Sequence, residues 1–367
     1  MKVMTVFGTR PEAIKMCPLI LELKKHRNIE TIVCLTGQHK EMLNQVMDVF
    51  RVKADYNLEI MKASQNLSEI TSSVMSGMEK IFLKVNPDIV LVHGDTTTSF
   101  AAALSAFYNR IPVGHVEAGL RTYNLQAPYP EEFNRQAVDI LSKFYFAPTE
   151  GAKNNLLKEC KTEKDIYVTG NTVIDALRET VNESYSDENL QWANDCRMIL
   201  LTAHRRENIG VPMMEMFRAI RQVVDDNRDV KVIYPVHKNP KVREIAHKYL
   251  SGHDRIRLIE PLDVLDFHNY IKNSYLVLTD SGGIQEEAPA LGKPVLVMRE
   301  TTERQEGVEA GTLKLVGTTY QKIYDETTGL LNNSEAYSKM SHAVNPYGDG
   351  HASKKIVEIL LERLENS

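Results

Sequence analysis

Thr279-Asp280-Ser281-Gly282-Gly283-Ile284-Gln285-Glu286-Glu287, led into by the apolar run Ser274-Tyr275-Leu276-Val277-Leu278, is the stretch that decides how this chain folds. A buried strand that runs into two glycines and then a helix leaves backbone N–H groups unpaired at a positive helix end. Such an end suits an anion, above all a phosphate. The carboxylates that follow are placed to take ribose hydroxyls. On local pattern alone, a glycine pair also makes an ordinary turn, so the rest of the chain has to discriminate.

Working outward, short apolar runs recur with helical stretches between them. In the first half they are Val3–Phe7, Thr31–Leu35, Asp88–Val92, Ile111–Val116, Phe144–Ala147 and Ile166–Val168, with amphipathic segments such as Ile14 to Lys25 and Leu67 to Val85. In the second half they are Met198–Thr202, Lys231–Pro235, Ile256–Ile259, Tyr275–Thr279, Pro294–Val297 and Thr312–Val316. Runs of this length alternating with helices predict β-α units and parallel sheets. The fold class is α/β with two Rossmann-like domains. The polar, acidic stretch Asn182 to Asp195 separates the two series and places the hinge between about Gly170 and Asp195. The expected domains are 1–170, joined by a C-terminal amphipathic helix within 354–367, and 171–353.

A chain of 367 residues exceeds the usual single core, which agrees with two domains. Its 43% hydrophobic and 25% charged residues are those of an ordinary soluble protein. A net charge of -5 argues against a nucleic-acid surface and leaves room for small anionic ligands in a local basic cleft. Cys17, Cys34, Cys160 and Cys196 are widely separated and form no metal spacing, so four buried reduced thiols in a cytoplasmic protein are expected. No segment has the length or composition of a membrane span or a leader.

Parallel sheets bind ligands beyond the C-terminal ends of their strands, and the polar motifs cluster there. Gly8-Thr9-Arg10-Pro11-Glu12 follows the first strand, with Lys15 one turn later. Arg10 can fork onto phosphate oxygens and Pro11 suits a first helical turn, although a plain strand-to-helix turn would look the same. His93-Gly94-Asp95-Thr96 follows another strand, where Asp95 or a threonine could simply cap the next helix. His115-Val116-Glu117-Ala118-Gly119-Leu120-Arg121 ends a third. Glu131 and Arg135 share i,i+4 spacing that would also fit a surface ion pair. Three carboxylates at sheet ends, Asp95, Glu117 and Glu131, are enough to divide general-acid and general-base work. In the second half, Thr202-Ala203-His204-Arg205-Arg206-Glu207-Asn208 offers a histidine and two arginines, and Arg299 to Gly307 offers hydroxyls and Arg304. Neither a G-x-G-x-x-G after the first strand nor a G-x-x-x-x-G-K-[ST] is present, which argues against the usual dinucleotide and P-loop sites.

Together, these motifs and Thr36-Gly37-Gln38-His39, in this order and almost from end to end, resemble the non-hydrolysing UDP-N-acetylglucosamine 2-epimerases. The resemblance implies a glycosyltransferase-B-like fold with the active site in the interdomain cleft, and usually a homodimer. It implies reversible conversion of UDP-N-acetylglucosamine to UDP-N-acetylmannosamine through loss and return of UDP around a 2-acetamidoglucal intermediate, with no cofactor and no metal. By match to the family motifs, Arg10, His204, Ser281, Gly282, Gly283 and Glu287 hold UDP, Glu287 through the ribose. Lys15, Asp95, Glu117, Glu131 and His204 are the acid-base and sugar-positioning candidates, and Arg135 and Arg304 support the sugar or diphosphate. Asp95 and Glu117 are favoured for the C2 proton transfers. Some bacterial members bind a second UDP-N-acetylglucosamine as activator; Gln38 and His39 match that site, whereas Ser64 stands where such members carry an arginine. The product of the family usually feeds cell-surface polysaccharides.

Three other readings share the same motifs. A hydrolysing relative would release free N-acetylmannosamine and UDP. A glycosyltransferase of the same fold would not need so many acids at its donor site. A silent nucleotide-sugar sensor would bind UDP without exchanging the C2 proton.

Overall fold

The computed structural model describes residues 1–37, 40–62 and 65–364, apart from the side chains of residues 40–42. Gln38, His39 and Ser64 therefore lie outside the described residues, as do the last three of the C-terminal segment. By its contacts the chain divides into two compact units, Met1–Glu179 with Tyr347–Ser367, and Thr180–Pro346. The helix Thr172–Thr180, but for its last residue, and residues 347–353 thus fall with the first unit, where the boundaries drawn from the sequence had them in the second.

In the first unit, β1 (Lys2–Phe7), β2 (Glu30–Leu35), β3 (Tyr56–Asn57), β4 (Ile89–His93), β5 (Val113–Val116), β6 (Phe144–Ala147) and β7 (Ile166–Val168) form a parallel sheet. Its order is β3-β2-β1-β4-β5-β6-β7. β1 is central, with Val6 opposite Cys34 on one side and Val92 on the other. Helices cover both faces, so Val3, Met4, Val6 and Phe7 are all fully buried. The helix Arg10–Leu23 packs against the C-terminal helix Ala352–Leu364, whose first amides donate to Asp175, from Ala352 at 3.1 Å and from Ser353 at 2.7 Å.

The second unit repeats the plan. β8 (Arg197–Thr202), β9 (Val230–Pro235), β10 (Ile256–Ile259), β11 (Leu276–Thr279), β12 (Val295–Val297) and β13 (Leu313–Leu315) are parallel and ordered β10-β9-β8-β11-β12-β13. Thr202 and Thr279 end the central pair in register, and their hydroxyl oxygens are 2.7 Å apart. A core of Leu201, Phe217, Ile220, Tyr234 and Leu278 lies on one face of this sheet, and a second of Leu200, Ile233, Tyr270 and Val277 on the other.

One sequence expectation, that all four cysteines are buried, needs correction, and the stretch between the two series also holds a short helix. The polar stretch Asn182 to Asp195 contains a helix, Glu188–Ala193, capped by Asp187, and it buries Leu190 and Ala193 in the core. Three apolar residues in six, Leu190, Trp192 and Ala193, are too few to show a helical period. Of the cysteines, Cys17 and Cys34 are buried, but Cys160 is exposed and Cys196 half-buried; all four are free thiols. Cys160 occupies a left-handed turn (φ 60°) just past the helix Glu150–Lys158, where the chain doubles back at the surface. Among the described residues no helix is long and apolar enough to cross a membrane.

Candidate active site

In both sheets the strand order reverses beside a central pair, β1/β4 in the first and β8/β11 in the second. The loops leaving such a pair diverge and open a crevice at the C-terminal strand ends. Those four loops carry Gly8–Pro11, Gly94–Thr96, Ala203–Asn208 and Asp280–Gly283.

In the first unit, Glu117 leaves β5 with a positive φ of 70°, uncommon for a residue with a side chain and typical of a held functional conformation. Its Oε2 accepts from Lys15 Nζ, an ion pair between two largely buried side chains, and from Asn171 Nδ2 at 2.7 Å. His93 Nε2 lies 3.7 Å from the same oxygen. Burial pushes the His93 imidazolium down to about 3, against the opposing pull of Glu117, so this ring is neutral at physiological pH. Asp95 is ion-paired with Arg135, which also lies 3.3 Å from Glu132 Oε2. Asn134 Nδ2 donates to the Asp95 carbonyl at 2.9 Å. The helix Glu131–Leu141 thus fixes Asp95 from both its backbone and its carboxylate. Arg135 turns to Asp95 and Glu132, not to Glu131 as the i,i+4 spacing allowed.

Buried carboxylates tie these loops together. Glu12 Oε2 accepts from the amides of Gly8 at 3.0 Å and Thr9 at 2.7 Å, while its Oε1 takes the hydroxyls of Thr96 at 2.7 Å and Ser99 at 2.9 Å. One side chain thereby joins the loop after β1 to the loop after β4. Glu132 receives the amides of Thr122 and Tyr123. Burial works against its charge, but those donors, Gln136 and Arg135 outweigh it and hold the carboxyl below its usual range. Asp139, fully buried, pairs with His115 Nδ1 at 2.6 Å and Arg121 at 2.7 Å, and Arg121 also reaches Glu159. The same balance holds Asp139 low: burial raises it, and the His115 and Arg121 contacts pull it further down. His115 Nε2 meets the carbonyl of Gly94 at 2.8 Å, anchoring the residue before Asp95.

In the second unit, Asp280 is fully buried and binds the loop after β8: its carboxylate accepts from the amides of His204 (3.0 Å to Oδ2) and Arg205 (2.9 Å) and from Asn208 Nδ2 (3.1 Å). His204 stacks on His237 with ring centroids 5.3 Å apart. The Ser281 amide donates to Thr279 Oγ1 at 2.9 Å. Gly282 and Gly283 then lead into the helix Ile284–Ala290. Arg304 grips Glu286 at 2.8 Å and Glu303 at 2.7 Å. Glu287 faces the buried His268 across 3.7 Å, and His268 Nδ1 is 2.7 Å from Thr180 Oγ1.

The family model for UDP-N-acetylglucosamine 2-epimerase matches residues 21–361. The chain belongs to the UDP-N-acetylglucosamine 2-epimerase family. It is 60% identical over 361 residues to the UDP-N-acetylglucosamine 2-epimerase of Bacillus subtilis strain 168, covering 98% of this chain and 95% of that one. A Listeria monocytogenes chain solved at 2.2 Å superposes with a TM-score of 0.96 at 54% identity, covering 100% of this chain and 97% of that chain. The Neisseria meningitidis UDP-GlcNAc 2-epimerase, solved bound to UDP-GlcNAc, superposes with a TM-score of 0.90 at 51% identity, covering 99% and 100%. The two-domain, glycosyltransferase-B-like α/β class expected from the sequence is the class of this 2-epimerase family.

Of the residues marked by resemblance to the 2-epimerases, Lys15, Asp95, Glu117 and Arg135 come together in two ion pairs of the first unit. Glu131 opens the helix beside the buried Glu132, and Arg10 stands exposed on the first turn after β1. His204, Ser281, Gly282, Gly283 and Arg304 gather at the β8/β11 end of the second unit, with Glu287 one turn into the following helix. A hollow of about 300 Å³ lined by Leu35, Asn57 and Glu59 borders Gly37, next to the undescribed Gln38 and His39. Sequence alone assigned no role to Asn171, Asp139, His93 or Glu303, although the last two lie within quoted motifs. Asn171 lies 54 positions from the carboxylate it holds, a pairing that no spacing rule reaches. Glu12, three residues after Thr9 at a helix start, had a detectable signal in its capping-box spacing.

Proposed function

We propose that this chain interconverts UDP-N-acetylglucosamine and UDP-N-acetylmannosamine by inverting C2, without net hydrolysis. The observation that carries the reading is the pair of carboxylates, Asp95 and Glu117, each ion-paired to a cation at the C-terminal strand ends of one Rossmann-like sheet, in a family named for this activity. A related chain from Neisseria meningitidis is solved with UDP-GlcNAc, and its 51% identity over 99% of this chain supports the same ligand here.

The C2 proton of an amino sugar is weakly acidic, so its removal needs a base together with a stabilised leaving group. In the forward direction Glu117 or Asp95 takes the proton. The C2–H electron pair forms the C1–C2 double bond, and the C1–O bond breaks with its pair going to UDP. 2-Acetamidoglucal results. In return, a UDP oxygen attacks C1 and the other carboxylate delivers a proton to the opposite face of C2. Lys15 and Asn171 hold Glu117 in one orientation, and Arg135 does so for Asp95. Glu131 positions the sugar. Arg10, His204, Ser281, Gly282 and Gly283 bind UDP, with Arg304 on the diphosphate and Glu287 on the ribose hydroxyls. The enzyme works in the cytoplasm, as a homodimer, and supplies precursors of cell-surface polysaccharide.

Product analysis tests this. Incubation with UDP-N-acetylglucosamine is expected to give a mixture of the two UDP-sugars at constant total nucleotide-sugar. Accumulation of free N-acetylmannosamine with UDP would overturn it in favour of the hydrolysing reaction. Starting from UDP-N-acetylmannosamine alone tests Gln38 and His39: a normal initial rate rules out an obligatory activator.

A further inference from the structure

Around Gly282 three charged side chains converge on one point. A Cβ placed on Gly282 would lie 2.9 Å from Glu303 Oε1, 3.5 Å from an Arg304 guanidinium nitrogen and 3.6 Å from one of Arg205. Glu303 is thus a carboxylate lying directly against the glycine of the anion loop. It is held there by Arg304 at 2.7 Å, by Arg299 at 3.0 Å and, more loosely, by Arg205 at 3.9 Å. Burial raises the Glu303 carboxyl, but the three arginines outweigh that and keep it below its usual range. Arg304 is also clamped by the buried Glu286, and Arg205 is fixed through its amide and Nε to Asp280. The guanidinium groups are therefore anchored from behind, whereas Glu303, about one-third exposed, is the member of the cluster closest to Gly282.

We propose that Glu303 is a resident counter-anion standing in the diphosphate position of the substrate, and that UDP binds by displacing its carboxylate from Gly282 and taking over its arginines. This rests on the reading of Gly282 and Arg304 as UDP contacts. Three arginines offset by the two carboxylates of Glu303 and Glu286 carry a formal charge of +1, which a diphosphate over-satisfies unless the Glu303 carboxylate moves away. Glu303 competes with the ligand, and its consequence is a weaker grip on UDP, which lets a nucleotide product leave a strongly cationic site. A residue that merely scaffolds the arginines would have the opposite effect: its loss would loosen them and weaken binding.

The sign is what an experiment reads. Calorimetric titration of the full chain with UDP, inorganic pyrophosphate and uridine is compared between wild type and Glu303→Gln. The variant keeps the shape and the hydrogen-bonding reach but loses the charge. The dissociation constants for UDP and pyrophosphate are expected to fall about tenfold, equivalent to ~1.4 kcal/mol, with uridine unchanged. Unchanged or weaker binding of UDP by Glu303→Gln overturns the proposal, and failure of wild type to bind UDP overturns the functional reading beneath it. Should the variant not fold, a crystal structure of wild type with UDP decides: the Glu303 carboxylate is expected to have left Gly282. Its persistence there beside a bound diphosphate would contradict the inference.

Discussion

Glu117 is held by two side chains from distant parts of the chain, Lys15 and Asn171, and faces a third, His93; each acts on a different property. Lys15 supplies charge, Asn171 supplies direction, and His93 adds a neutral, desolvated ring. Glu117→Gln is expected to lower turnover by about 100- to 10,000-fold, the usual cost of losing a positioned acid-base group, with UDP affinity retained. Asn171→Ala should cost about tenfold in kcat, on the order of one hydrogen bond to a charged group, again with UDP affinity unchanged. A parallel loss of UDP binding would show that Asn171 supports the fold and not the carboxylate. His93 makes a further claim about stability. Its folded value of about 3 lies below the ordinary histidine value near 6.5, so the unfolded chain takes up a proton first as pH falls. The contribution is fully present above about pH 6.5 and is lost toward pH 3, with a slope of at most ~1.4 kcal/mol per pH unit. Urea midpoints at pH 7 and pH 5 should therefore fall less for His93→Gln than for wild type. Equal falls would mean that the ring is not the buried neutral group described.

At the scale of the elements, buried carboxylates fasten loop to loop. Glu12 joins the loops after β1 and β4, and Asp280 joins those after β11 and β8. Asp139 lies one layer deeper, neutralising Arg121 and fixing His115, which in turn holds the Gly94 carbonyl next to Asp95. Asp139→Asn leaves a fully buried guanidinium without this counter-charge, and a loss of about 3–5 kcal/mol in urea unfolding is expected, the cost of breaking a buried pair from one side. A loss below ~1 kcal/mol would show that Glu159 alone suffices for Arg121. This layer is also where legibility in the sequence ends. Phe144–Ala147 could be read directly, because a strand buried on both faces is a short apolar run between helices, and the half-buried edge strands Ile166–Val168 and Ile256–Ile259 keep enough apolar residues to be read as well. β3 could not: Tyr56–Asn57 is a two-residue edge strand with no run of its own. Asp95, Glu117 and Lys15 were identifiable because they follow strands or belong to shared motifs. Asn171 and Asp139 were not, since their partners are brought near only by the winding of the sheet.

At the scale of the molecule, the chain uses one plan twice. Each unit is a parallel sheet whose central pair ends in a buried carboxylate that laces two loops. The first unit adds two carboxylates in ion pairs, Glu117 with Lys15 and Asp95 with Arg135, and the second adds a glycine pair flanked by arginines. In the proposed function Asp280–Glu287 binds the nucleotide, and Asp95 and Glu117 carry the chemistry that distinguishes an epimerase from a binding protein. That division is tested most directly by incubating the protein with UDP-N-acetylglucosamine in heavy water and following C2 of the sugar by NMR. The account predicts UDP-N-acetylmannosamine carrying deuterium at C2, with the label also entering recovered UDP-N-acetylglucosamine. Epimerised product that retains its original C2 hydrogen would contradict it.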